Sequence, residues 1–205
     1  MTHPTMTRDD IVLDSTETLH DGFFRMEHYL LRHRLFKGGW SQNLSREIML
    51  RDPVAAVIPY DPIRDEVLLI QQFRSGMFAA GDMHPWSIEI VAGIIENNES
   101  AEDMARRETL EECGCNVKRL EKVMDFYPSP GGCSELVTVF CGEVSSAGAG
   151  GVHGIAAEGE DIRVFVTSVD EAMAQIQSGS INNSIGVIGI QWLALNRDDL
   201  RRRWT

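Results

Sequence analysis

Three glutamates in the stretch RRETLEECGC, Arg106 to Cys115, set the strongest constraint on how this chain can fold. Glu108, Glu111 and Glu112 stand at i, i+3 and i+4, so a helix here crowds three carboxylates onto one face. Like charges at that spacing cost a few tenths of a kcal/mol per pair. The helix is nonetheless well signalled, from about Ser100 to Cys113. Ser100 is a good N-cap, Asp103 occupies N3, and Gly114 supplies the stop. Just upstream, the apolar run WSIEIVAG ends at Gly93, and the polar loop IIENNE follows. A strand, a tight Gly-bearing loop and an acidic helix are therefore expected in succession. Solvent would relieve the repulsion on a bare helix. The alternative relief is a divalent cation, because Mg²⁺ prefers oxygen ligands and a diphosphate can complete its coordination.

The rest of the chain reads as strands interrupted by a few helices. Residues 10 to 50 are strand-like, rich in aromatic and β-favouring residues, with a turn at KGGW and a boundary at Pro53. They form a small antiparallel sheet, too small to bury a core alone. From residue 54, VAAVIPY and EVLLIQQF flank the turn DPIRD, and WSIEIVAG is a third strand. VKRLEKVMDFY, ELVTVFCGEV and IRVFVTSV follow the acidic helix. Two further helices are expected at about 170–178 and 185–203. This mixture predicts a sheet covered by helices on both faces. The segment from Ser145 to Asp161 has five glycines and no periodicity, and reads as a long loop. A loop of that length ending in Glu158, Glu160 and Asp161 suits a mobile catalytic lid.

Charge excludes some functions. The chain of 205 residues carries a net charge of -12, against the basic patch that a nucleic-acid platform needs. Its basic cluster, Arg201 to Arg203, suits the end of a terminal helix. The four cysteines form no CxxC and no zinc-finger spacing, as expected for reduced thiols in a cytoplasmic protein. The N-terminal residues lack signal-peptide regions, and no apolar run approaches the length of a membrane span.

The spacing from Gly93 to Cys115 resembles the Nudix box, G-x5-E-x7-R-E-U-x-E-E-x-G-U, with U an apolar residue. Gly93, Glu99, Arg107, Glu108, Glu111, Glu112 and Gly114 all match it. Thr109 and Cys115 depart from it at the two U positions, both small enough to pack. The segments GFF, RHRLF, REI, AAV, DPIRDEVLLI, SPGG and EDIRV resemble the ADP-ribose pyrophosphatase branch of that family. Pro130, fifteen residues past Cys115, matches a proline of this branch. The related dinucleoside-polyphosphate hydrolases have a tyrosine slightly further on, where this chain has Gly132.

The resemblance implies an α/β (α+β) fold, an α/β/α sandwich around a mixed sheet at 53–205, with the small N-terminal sheet at 1–52. It implies hydrolysis of ADP-ribose to AMP and ribose 5-phosphate by water attack on the diphosphate. Two or three Mg²⁺ ions would serve each site, with Mn²⁺ as a substitute. Glu108, Glu112, Glu160 and the backbone carbonyl of Ala92 would hold them. Glu111 supports the cluster, and Arg107 pairs with Glu99 to keep loop and helix in register. Glu158 matches the family's general base, with Glu160 and Glu111 as competing choices. Arg74 matches a diphosphate contact, Phe23 and Arg46 contacts on the adenine side, and Ser129 and Glu135 positions near the terminal ribose. The family's N-terminal sheet is swapped in a homodimer, which would place Phe23 and Arg46 in the partner's site. Hydrolysis of another nucleoside diphosphate sugar such as GDP-mannose is the nearest alternative. A Nudix sensor that binds without cleaving is the other class; Mg²⁺-dependent release of AMP separates it.

Overall fold

The computed structural model describes residues 6–155, 157 and 159–205. The chain divides into two compact units. One gathers the chain up to Asp52 with Tyr127–Glu135. The other comprises Pro53–Phe126 and Leu136–Thr205.

The first unit is a three-stranded antiparallel sheet of β1 (Ile11–Asp21), β2 (Arg25–His33) and β3 (Leu44–Leu50), in that order. Its expected antiparallel strands are present. Within these strands only Glu27 is buried. Ile11, Leu13 and Leu19 are exposed along β1, and Phe23 is 86% exposed at the β1–β2 tip. Three strands bury too little apolar area to offset the entropy of ordering them. The returning segment 127–135 is tied to β3 and the residue after it: the Met49 N–H donates to the Gly132 carbonyl at 2.9 Å, the Ser134 hydroxyl accepts from the Arg51 N–H at 2.8 Å, and Arg51 pairs with Glu135 at 3.3 Å.

The second unit is built on an eight-stranded mixed sheet. Its strands are β4 (Val54–Asp61), β5 (Glu66–Phe73), β6 (Trp86–Glu89), β7 (Val91–Ile94), β8 (Leu120–Phe126), β9 (Val137–Glu143), β10 (Gly151–His153) and β11 (Ile162–Ser168). The main path runs β10-β11-β5-β4-β9-β8, with β4 and β9 parallel. Every residue of β4 is buried, which explains its unbroken apolar run: both faces of this central strand are covered. Ala55 and Val57 face the cluster completed by Met104, Ala105 and Cys113 of α2 (Ala101–Cys113). Ala56, Ile58 and Tyr60 face the opposite cluster, with Ala172 of α3 (Val169–Ser178) and Ile190, Leu193 and Leu200 of α4 (Ser184–Trp204). Side chains alternate across a strand, so one sheet feeds two cores. Each fully buried Ile or Leu stabilises this arrangement by about 1.5–3 kcal/mol.

Three details differ from the sequence reading. WSIEIVAG is two strands, because its halves take different partners. Trp86–Glu89 pairs with β5, whereas Val91–Ile94 pairs with β4. The β4–β5 ladder holds only at Tyr60–Val67 and Asp61–Glu66, and the divided segment fills the opening beyond. Ile90, fully buried, is the point of exchange. Secondly, the glycine-rich segment contains β10, which pairs with β11. Backbone hydrogen bonding to a neighbour replaces the side-chain periodicity that the segment lacks. Finally, a short helix, α1 (Ser75–Ala79), follows β5.

One buried polar network fastens the β4–β5 turn. Asp61 accepts from the backbone N–H of Ile63, Arg64 and Ser146 and from the Ser146 hydroxyl, at 2.9–3.1 Å. Burial alone would raise its pKa. These donors outweigh burial and bring it down to about 2. Asp61→Ala leaves several buried donors unpaired and is expected to cost about 2–4 kcal/mol at neutral pH. The carboxylate contributes above its ordinary pKa of 3.8, and the contribution fades as pH falls through about 2. Thermal melts should therefore show the gap between mutant and wild type narrowing in acid.

Candidate active site

The acidic helix is α2, capped as its sequence signals. The Ser100 hydroxyl accepts from the Asp103 N–H at 3.1 Å, and Gly114 ends the helix with a left-handed φ of 65°. Thr109 is fully buried, yet its hydroxyl donates to the Ala105 carbonyl at 2.7 Å. A polar residue thus fits an apolar position of the box without an unpaired group.

Much of the expected crowding among carboxylates is relieved from within the helix. Arg107 donates through Nε and Nη2 to Glu99 at 2.8 and 3.1 Å, and through Nη1 to Glu108 at 2.8 Å and Glu111 at 3.0 Å. One guanidinium therefore serves three acids, and its own pKa is pushed up, with the Glu99 hydrogen bonds as the largest cause. The Glu99–Arg107 pair joins the loop to the helix. An added cation is not needed to explain why Glu99, Glu108 and Glu111 coexist.

Glu112 is different. It is only 3% exposed. Its Oε2 has no hydrogen-bond partner among the described residues. Burial raises its pKa to about 8, helped by the charges of Glu108 and Glu160. Burial also raises Glu108, against the pull of Arg107. A buried carboxylate oxygen without a partner costs stability and needs an explanation. An oxygen-seeking divalent cation fits it by charge and by ligand type.

Gly93 lies hard against this cluster. A Cβ added there would sit 2.3 Å from Glu108 Oε1. Gly93→Ala is expected to push the Glu108 carboxylate aside. Activity should fall about 10- to 100-fold, with little change in melting temperature, because φ at this position is not left-handed. Steady-state kinetics beside a thermal melt checks this.

The second unit brings together Arg74, Ala92, Arg107, Glu108, Glu111, Glu112 and Glu160. Glu160 and Glu112 both act electrostatically on Arg74, and the Glu160 carboxylate accepts from the Ile155 N–H at 2.9 Å. Among the described residues, no three His, Cys, Asp or Glu side chains form a ready metal cage. Glu108 leans to Arg107 and Glu160 to Ile155, so the carboxylates are neighbours without converging on one point. Glu158 lies outside the described residues. A cavity of about 380 Å³ at the C-terminal end of α2, lined by Cys115, Lys118, Ser145 and His153 among others, contains none of these carboxylates.

The remaining sequence-derived contacts belong to the first unit. Arg46 is exposed on β3, with Nη1 donating to the Ser45 carbonyl at 2.8 Å. The Ser129 carbonyl accepts from Gly132 and Cys133, and Glu135 is held by Arg51. Phe23 is not a core aromatic; its ring meets Phe24 edge-on at 4.9 Å.

One buried acid beside this site is not anticipated by the sequence. Glu89, 8% exposed, receives Arg74 in a two-pronged pair, at 2.9 Å from Nε and 2.6 Å from Nη2. Its signal was an acid inside the apolar run WSIEIVAG.

Comparison with known proteins points to one family. The NUDIX domain model matches residues 50–183. An ADP-ribose pyrophosphatase from Escherichia coli (strain K12) is 45% identical over 200 residues, covering 98% of this chain and 95% of the relative. A GDP-mannose pyrophosphatase from Escherichia coli O1:K1 / APEC is 31% identical over 198 residues, covering 94% and 95%. The crystal structure of an ADP compounds hydrolase superposes with a TM-score of 0.72 over 97% of this chain and 98% of that one; at 16% identity this likeness concerns the fold. Nudix hydrolases generally depend on divalent metal ions. With every glycine, arginine and glutamate of the box present from β7 to the C-cap of α2, and the domain model spanning most of the chain, this protein belongs to the Nudix hydrolase family.

Proposed function

We propose that this chain hydrolyses ADP-ribose to AMP and ribose 5-phosphate with Mg²⁺. The observation that carries hydrolysis is Glu112, buried beside Glu108 with one carboxylate oxygen unpartnered. ADP-ribose is favoured over GDP-mannose by the stronger likeness, 45% against 31% identity at nearly full length. Glu108, Glu112, Glu160 and the Ala92 carbonyl would hold two or three Mg²⁺ ions. Bound metal would neutralise the diphosphate and lower the pKa of the attacking water. Arg107 keeps Glu99, Glu108 and Glu111 in place. Arg74 offers a guanidinium to phosphate oxygens. Glu158 is the proposed base, ahead of Glu160 and Glu111. Glu158→Gln should lower kcat more than it changes KM, and unchanged turnover would move the base to another acid.

The same reading includes a homodimer that exchanges its N-terminal sheets, so that Phe23 and Arg46 reach the partner's substrate, with Ser129 and Glu135 toward the terminal ribose. Its support is the coreless first unit, with Phe23 and Phe36 each 86% exposed. We place the enzyme in the cytoplasm, without nucleic-acid or membrane partners. Four free cysteines and the net charge of -12 support this. Among the described residues, no helix is long and apolar enough to cross a membrane.

The test is a panel of ADP-ribose, GDP-mannose and related nucleotide sugars with the purified protein and MgCl₂. AMP from ADP-ribose at the highest kcat/KM is expected. No preference for ADP-ribose would sink the substrate assignment, and no turnover of any member would sink the enzyme reading in favour of a sensor.

A further inference from the structure

Glu89 and Arg74 are brought together by the β5–β6 ladder, whose register pairs Ile70 with Glu89 and Phe73 with Trp86. Arg74 follows directly after β5, and its own N–H donates to the Pro85 carbonyl at 2.8 Å. Backbone and side chain are thus both anchored to the segment carrying Glu89. The pair uses the Nε–Nη2 edge of the guanidinium. The other edge, Nη1 with the second hydrogen of Nη2, has no protein partner among the described residues, and the Arg74 side chain is about half exposed. That edge matches two oxygens of a phosphate.

A purely structural pair would be an odd choice at this place. An apolar pair is often at least as stabilising as a buried ion pair, because desolvating a carboxylate such as Glu89 is costly. The Arg74 pKa is raised, chiefly by its hydrogen bonds to Glu89, with Glu112 and Glu160 adding to the effect. The fork therefore stands in the field of the proposed metal-binding carboxylates. We infer that Glu89 is a positioning residue, whose carboxylate fixes Arg74 so that the free guanidinium edge meets the diphosphate. This rests on the reading of Arg74 as a diphosphate contact. A freely rotating arginine would lose side-chain entropy on binding, and Glu89 removes that loss beforehand.

The test measures affinity for inorganic pyrophosphate by calorimetry in the wild type, Glu89→Gln, Arg74→Ala and the double variant, with thermal melts of each. Glu89→Gln is expected to weaken pyrophosphate about tenfold. Arg74→Ala should weaken it at least as much, and the double variant no further than Arg74→Ala alone. A Glu89→Gln protein that melts lower but binds pyrophosphate like the wild type would reduce Glu89 to a structural role and overturn the proposal. So would a full second tenfold loss in the double variant, since Glu89 would then act independently of Arg74. A wild type without measurable affinity for pyrophosphate also overturns it. Pyrophosphate binding does not depend on which nucleotide sugar is cleaved, so the failure of the ADP-ribose assignment appears separately, in the substrate panel.

Discussion

Glu112→Gln should all but abolish hydrolysis while making the metal-free protein more stable at pH 8. The two effects have one cause. Glu112 is buried with an unpartnered oxygen, and burial raises its pKa to about 8, with Glu108 and Glu160 adding. Its ordinary value is 4.5, so between about pH 4.5 and 8 the folded protein holds a proton that the unfolded chain has released. The group's favourable contribution is full below pH 4.5 and is lost as pH rises through 8. Each pH unit between those two values corresponds to about 1.4 kcal/mol at most. Glutamine carries no charge and escapes this loss, and a gain of about 5 °C in melting temperature at pH 8 is expected. The advantage should vanish near pH 4. Turnover should fall by about 10³-fold, because the proposed site loses a carboxylate that contributes several kcal/mol through the metal. Added Mg²⁺ should raise the melting temperature of the wild type at pH 8 and not that of the variant. A variant with wild-type turnover would remove Glu112 from the ligand set.

Arg107→Ala is expected to lower both activity and stability. Its guanidinium is the shared partner of Glu99, Glu108 and Glu111. Without it, the three carboxylates face one another unneutralised, and the loop before α2 loses its tie to the helix. Solvent reaches this site, so the stability loss is held to about 1–3 kcal/mol. Displacing Glu108 by even about 1 Å should cost about 10²-fold in kcat/KM. Arg107→Lys should recover little, because one ammonium cannot reproduce a fork that serves three acids. Kinetics and melts of both variants check this. Full activity in Arg107→Lys would show that only the charge matters.

What could be read from the sequence, and what could not, divides by the range of the interactions involved. The α2 caps, the two-sided covering of the sheet and the acidic helix were legible because they depend on short-range spacing: Ser100, Gly114 and the i, i+3, i+4 glutamates act within a few residues of one another. The division of WSIEIVAG at Ile90 was not legible, because an apolar run reads the same whether it has one strand partner or two. β10 was hidden for a related reason, since its stability comes from pairing with β11 and not from its own glycine-rich residues. The Glu89–Arg74 pair spans 15 positions and depends on strand register.

By itself, then, the sequence determined the Nudix spacing: its two glycines, its arginine and its four glutamates from Gly93 to Gly114, with Arg107 among the acids. Only the tertiary structure decided what each acid experiences. Glu99, Glu108 and Glu111 share one guanidinium, whereas Glu112 is driven into the protein with an oxygen left over. Spacing along a helix fixes the face on which a carboxylate lies. Its charge state depends on burial and on partners brought from distant strands, and those are properties of the folded chain alone.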